Sequence, residues 1–216
     1  MKILVVFLTL FAAGGWAFFG PDVPGIFRAA QIVPNVIPVA PQRQLEVIYE
    51  RLNRVSLGEE LTPSAVRNPP VVVKCLLCGI SLRGFYTLVL IDPDAPSRDN
   101  PFEANFLHFM AVNIPGHRFT HALHQGETVA EYMGAIPGQN TGHHRYIFLL
   151  YRQRGGQTLF DEPRIPSNNT SLRRNFALDN FVARYSLDLA AGNFFQAAYD
   201  SSVNALSAQF VDSDRK

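Results

Sequence analysis

FYTLVLIDPDAPSR, residues 85–98, decides the fold. Its first eight residues are an unbroken run of apolar and β-favouring side chains up to Asp92. A strand with one face in water alternates apolar and polar residues, so a continuous run predicts a central strand covered on both faces. The run stops abruptly at Asp92-Pro93-Asp94-Ala95-Pro96. Two prolines restrict the backbone on either side of Asp94, which holds both carboxylates in a fixed loop at the strand's end.

Outward from this stretch, FLHFMAVNI (106–114) and RYIFLLYRQ (145–153) read the same way, each bounded by Gly, Pro, Asn or Asp. LEVIYE (45–50) alternates Leu45, Val47 and Tyr49 against Glu46 and Glu50, a half-buried strand, and VVVKCLL (71–77) is another. Residues 18–44 are Pro-rich and apolar with little periodicity, and predict an extended N-terminal arm lying on a domain of residues 45–216. After Asn175, read as an N-cap, the apolar residues Phe176, Leu178, Phe181, Val182 and Tyr185 are spaced for one helical face. GNFFQAAYD (192–200) reads as a short strand, and Asp200 or Ser201 as the cap of a final helix carrying Val203, Leu206 and Phe210. Strands first and helices last, with no βαβ alternation, indicate a mainly antiparallel β domain with peripheral helices.

The N-terminus reads differently. Lys2, the apolar run 3–11 and the small residues Gly15 and Ala17 have the pattern of a secretory signal peptide of residues 1–17, too short for a membrane span. The chain has 19 Lys plus Arg and 18 Asp plus Glu, so removal of Lys2 leaves 18 of each and no net charge. The cleaved segment also carries Trp16, the only tryptophan. A neutral chain with both signs interspersed excludes a nucleic-acid footprint, which needs a clustered basic excess. Asn168-Asn169-Thr170-Ser171 holds two overlapping N-glycosylation patterns, starting at Asn168 and Asn169, in a polar loop. Both features point to a secreted, extracellular protein.

The two cysteines, Cys75 and Cys78, lie in a β-branched stretch with no helix pattern after them, which argues against a redox pair. Three residues of extended strand span about 10 Å. Disulfide Cα atoms approach to about 4.4–6.8 Å. A bridge therefore needs a turn at Leu76–Leu77, and the sequence leaves bridged and free forms open.

Polar groups that could carry chemistry sit at strand ends: Asp92, His108 within FLHFM, and His144 with Tyr146 in TGHHRY (141–146). Singly, each has an ordinary structural reading, a core histidine or a turn aspartate. Together, a carboxylate, two imidazoles and a phenol suit an oxyanion, because imidazole and phenol donors hold phosphate oxygens by charge-assisted hydrogen bonds. No nucleophile elbow, phosphate loop or H-E-x-x-H accompanies them, so a non-catalytic site is expected, with no cofactor. His117, His121 and His124 recur at metal-like spacing, but without an acidic or Cys partner they are read as solvated loop residues, not a metal site.

YTLVLIDPDAPSR, the segment His108 to Gly116, Tyr132-Met133-Gly134, TGHHRYIFLLYRQ and AGNFFQAAYD together resemble the phosphatidylethanolamine-binding protein family, from about residue 45 to 203. The resemblance implies a large central antiparallel sheet packed on a smaller sheet, with peripheral and C-terminal helices. It also implies a small pocket for anions such as a phospholipid head-group phosphate. Asp92, His108, His144 and Tyr146 would be its polar groups and Pro96 its wall, with backbone N–H groups offered by residues 134–138. The chain departs from the family pattern at Phe106, commonly Trp. It departs again at Ile136-Pro137-Gly138, commonly G-P-P, and at Phe195, Tyr in some members. Partners implied are a phosphate-bearing small molecule or lipid head group. The alternative is an extracellular serine protease to be inhibited, or carriage of small hydrophobic molecules.

Overall fold

The computed structural model describes residues 20–75, 78–118 and 125–208. Five antiparallel strands form the main sheet: β3 (Phe85–Asp92), β4 (Phe106–Pro115), β5 (Glu127–Ala130), β6 (His144–Gln153) and β7 (Leu187–Ala197), in the order β5-β4-β3-β6-β7. Two short strands, β1 (Glu46–Ile48) and β2 (Val72–Lys74), form the second sheet. Among the described residues the α-helices are few and short: α1 (Val23–Ala29), α2 (Leu178–Arg184) and α3 (Ser202–Ser207).

The continuous apolar run of β3 has the expected cause. Val89 and Ile91 point into one core with Phe27, Ile37, Leu149 and Phe181, beneath the arm and α2. Leu88 and Leu90 point into the other, with Val47, Tyr49, Val73, Phe148 and Phe195, beneath the small sheet. Period-two alternation then alternates between two cores, so no position from 86 to 92 faces solvent.

Three readings need correction. The arm is not simply extended. Residues 23–29 are helical, with the Asp22 Oδ1 accepting from the Gly25 N–H at 3.0 Å, and Phe27 is fully buried. Asn175 does not cap α2; Ala177 stands at that position. The backbone N–H groups of Asn175 and Phe176 are bonded to the carbonyls of Glu103 and Asn105, and Asn175 has φ 54°, so the helix begins only after this junction. The strand read at 192–200 begins at Leu187 and ends at Ala197, because β6 pairs along its whole length from Gln153↔Leu187 to His144↔Ala197. β5 had no sequence signal of its own.

Cys75 and Cys78 are bridged, with Cα atoms 5.5 Å apart, and β2 ends at Lys74 just before them. Among the described residues no helix is long and apolar enough to cross a membrane. The signal-peptide segment with Trp16, the histidines His121 and His124, and Phe210 lie outside the described residues.

Candidate functional site

Antiparallel pairing places the end of β3 beside the starts of β4 and β6, with Asp92 opposite Phe106 and Ile91 opposite Ile147. Asp92, His108, His144 and Tyr146 thereby come to one end of the sheet, none more than 3% exposed. His144 Nδ1 lies 2.7 Å from Asp92 Oδ2, and the other carboxylate oxygen accepts from the Asp94 N–H at 2.7 Å. Thr141 Oγ1 is 2.9 Å from His144 Nε2 and donates to the Gly138 carbonyl at 2.7 Å. Both ring nitrogens of His144 therefore have a protein partner, Asp92 on one side and Thr141 on the other.

His108 is set differently. Its Nδ1 is 3.0 Å from the Met133 carbonyl, an acceptor only, so Nδ1 carries the proton. Burial lowers its pKa to about 4, outweighing the opposing pull of Asp92, so the ring is neutral at pH 7. Nε2 is then an acceptor. It has no protein partner, and every fully buried polar side-chain atom among the described residues has one, so Nε2 faces open space.

Aromatic rings hold these groups in place. His108 packs edge-on to Tyr146 with centroids 5.1 Å apart and lies 5.1 Å from Phe106. Phe195 stacks against Tyr146 at 4.9 Å and is itself buried, so it supports the phenol from within the core. Burial pushes the Tyr146 phenol well above its ordinary pKa, with Asp92 and Asp94 adding to the rise, while a backbone hydrogen bond from Ile136 acts the other way. The hydroxyl therefore stays protonated.

Beside these groups Phe106, Ala95, Met133 and half-buried Ile136 form one small apolar cluster. Ala95–Pro96 is a cis peptide, and Pro96 is half-buried. Pro137 is buried and Gly138 exposed at the turn that carries the Thr141 contact.

Sequence reasoning passed over three supports. Thr141 lay inside the quoted TGHHRY segment, but nothing marked it as a partner of His144. Asp94 is not a pocket group: it takes Arg145 Nε at 2.8 Å, Nη2 at 2.6 Å and the Arg145 backbone N–H at 2.8 Å. Arg145 also donates from Nη1 to the Ala30 and Gln31 carbonyls, which ties the arm to the site loop. Arg173, fully buried, donates to the carbonyls of Leu107, His108, Glu131 and Pro166, and fixes the backbone that presents His108. Burial lowers its pKa to about 10, which leaves it charged at neutral pH. In the adjoining loop Asn168 and Asn169 are half-buried, and Asn169 Oδ1 accepts from the Leu172 N–H at 3.1 Å.

Residues 53–195 match the family described as phosphatidylethanolamine-binding protein, and the chain belongs to that family. A Drosophila melanogaster protein named "Putative odorant-binding protein A5" is 30% identical over 86% of this chain and 84% of its own length. The "26 kDa secreted antigen" of Toxocara canis is 34% identical over 79% of this chain and 62% of its own. A carboxypeptidase Y inhibitor, solved in complex with its cognate proteinase, superposes with a TM-score of 0.68. It covers 82% of this chain and 95% of that one, and at 23% identity the likeness is one of fold.

Proposed function

We propose that this chain is a secreted, non-catalytic binding protein whose pocket takes a phosphate-bearing ligand such as a phospholipid head group. The observation that carries this reading is the unpartnered His108 Nε2, set beside the protonated Tyr146 hydroxyl at the same end of the sheet as Asp92 and His144. Tyr146 and the backbone of residues 134–138 supply donors to the anion. A neutral His108 supplies an acceptor, which suits the hydroxyl of a singly protonated phosphate. With a second phosphate pKa near 6, binding strengthens as pH falls toward about 6. Secretion is supported by the leader pattern and by the name of the Toxocara relative. The segment 1–17 is cleaved and either Asn168 or Asn169 carries a glycan. Mass spectrometry of protein from its extracellular source reads both.

Calorimetry with O-phosphorylethanolamine against ethanolamine tests the pocket. The phosphorylated compound binds and the plain amine does not, and His108→Ala with Tyr146→Phe abolishes the signal. Equal binding of the two compounds sinks the assignment. Incubation with phosphoesters, esters and peptides gives no turnover; turnover lost in His144→Ala would make the protein an enzyme. A second reading, carriage of small hydrophobic molecules, is favoured by the name of the Drosophila relative.

A further inference from the structure

Tyr151 lies seven residues along β6 from His144, roughly 23 Å from the phosphate pocket at strand spacing. It is 3% exposed, and its hydroxyl has no hydrogen-bond partner among the described residues. Fully buried polar side-chain atoms there are all partnered, so this hydroxyl opens into the groove that the residue lines. The groove has a volume of about 450 Å³. Its walls are apolar, with Ile37 and Pro38 from the arm, Val182 from α2 and Leu189 from β7.

Its charged lining is of one sign. Asp179 and Asp188 border the groove and, among the described residues, no basic side chain does. Asp188 is already occupied, with Arg154 Nε at 2.8 Å and Arg152 at 3.3 Å. Asp179 has no ion pair among the described residues, and it acts on Tyr151: burial raises the phenol's pKa, and the Asp179 charge adds to the rise. A neutral hydroxyl and an available carboxylate therefore share an apolar groove.

We propose that this groove is a second binding site, for an amine that carries an apolar chain of several carbons. The hydrocarbon body lies against Ile37, Pro38, Val182 and Leu189, and the protonated nitrogen donates to the Asp179 carboxylate and the Tyr151 hydroxyl oxygen. A carboxylic acid would bring a further negative charge to an acidic lining. An alcohol matches Tyr151 but leaves Asp179 without a counter-charge. This site does not depend on the phosphate reading.

Calorimetry of the full chain at pH 7 with hexylamine, 1-hexanol and hexanoate tests it. Hexylamine binds about fivefold tighter than hexanol, as expected for an ion pair at a partly open rim, and hexanoate binds weakest. Asp179→Asn brings the amine down to the alcohol's level. Tyr151→Phe weakens the amine about threefold while breaking no internal hydrogen bond, so its melting temperature is retained. Saturating inorganic phosphate leaves hexylamine affinity unchanged. The proposal is overturned by equal binding of amine and alcohol, by Asp179→Asn without effect, or by displacement with inorganic phosphate. A dimer in sedimentation that Val39→Asp dissolves would give the groove to a second copy, and also overturns it.

Discussion

The two ends of the main sheet both bury polar side chains, and they use them in opposite ways. At the far end Gln153 Oε1 accepts from the Thr87 hydroxyl and the Asn113 N–H, and its Nε2 donates to Asn113 Oδ1 and the Gly156 carbonyl. Asn113 in turn donates to Glu127 and the Thr158 carbonyl and accepts from the Thr158 N–H. Both amides have spent every donor and both acceptor directions, so the cluster has nothing left to offer a ligand. At the near end each Asp92 oxygen and each His144 ring nitrogen has a protein partner, yet His108 keeps one ring nitrogen facing open space. A buried polar cluster with all groups matched locks a fold, and one with a group left over is available for binding.

The largest expected effect is on the lock. Gln153→Leu strands the partners Thr87, Asn113 and Gly156 and lowers stability by about 4 kcal/mol, since each unsatisfied buried group costs about 1–3 kcal/mol. Urea unfolding reads this, while O-phosphorylethanolamine affinity in the folded protein stays as it was. A loss of affinity would mean that the two ends are coupled.

Next comes pH. His108 falls from 6.5 when unfolded to about 4 when folded, so between these values the unfolded chain binds the extra proton. Its contribution is complete above pH 6.5 and fades as pH drops through that window, a loss on the order of 3 kcal/mol at about 1.4 kcal/mol per unit. Comparing wild type with His108→Gln at pH 7 and pH 4.5 isolates it. Equal pH slopes in the two proteins would show that His108 is not held neutral.

The smallest effect is the most selective. Tyr146→Phe keeps the stack on Phe195 and removes only the hydroxyl. Stability changes by about 1 kcal/mol, and O-phosphorylethanolamine binds about tenfold more weakly. An unchanged affinity would take Tyr146 out of the pocket and leave the near end with His108 alone.

Much of the architecture was readable from local pattern. The runs at 85–92, 106–114 and 145–153 lie within β3, β4 and β6, because a strand buried on both faces shows as an unbroken apolar stretch. The first half of β7 was missed because Asp188, Ala190 and Ala191 interrupt that signal. The residues are strand because β6 supplies their hydrogen bonds. Asn175 was misread because capping preference does not know that the adjacent backbone is bonded to Glu103 and Asn105.

By itself, the sequence determined that 85–92, 106–114 and 145–153 are strands, that they are covered on both faces, and which polar residues stand near their ends. Those follow from side-chain periodicity and proline restriction, which act over a few residues. Only the tertiary structure decided that Asp92 meets His144 across 52 residues, that the Met133 carbonyl leaves His108 with an accepting nitrogen, and that Asp94 belongs to Arg145. It also decided that Cys75 and Cys78 approach to 5.5 Å. Each of these depends on strand register or on a change of chain direction, and hydrogen-bond partners are chosen by position in space.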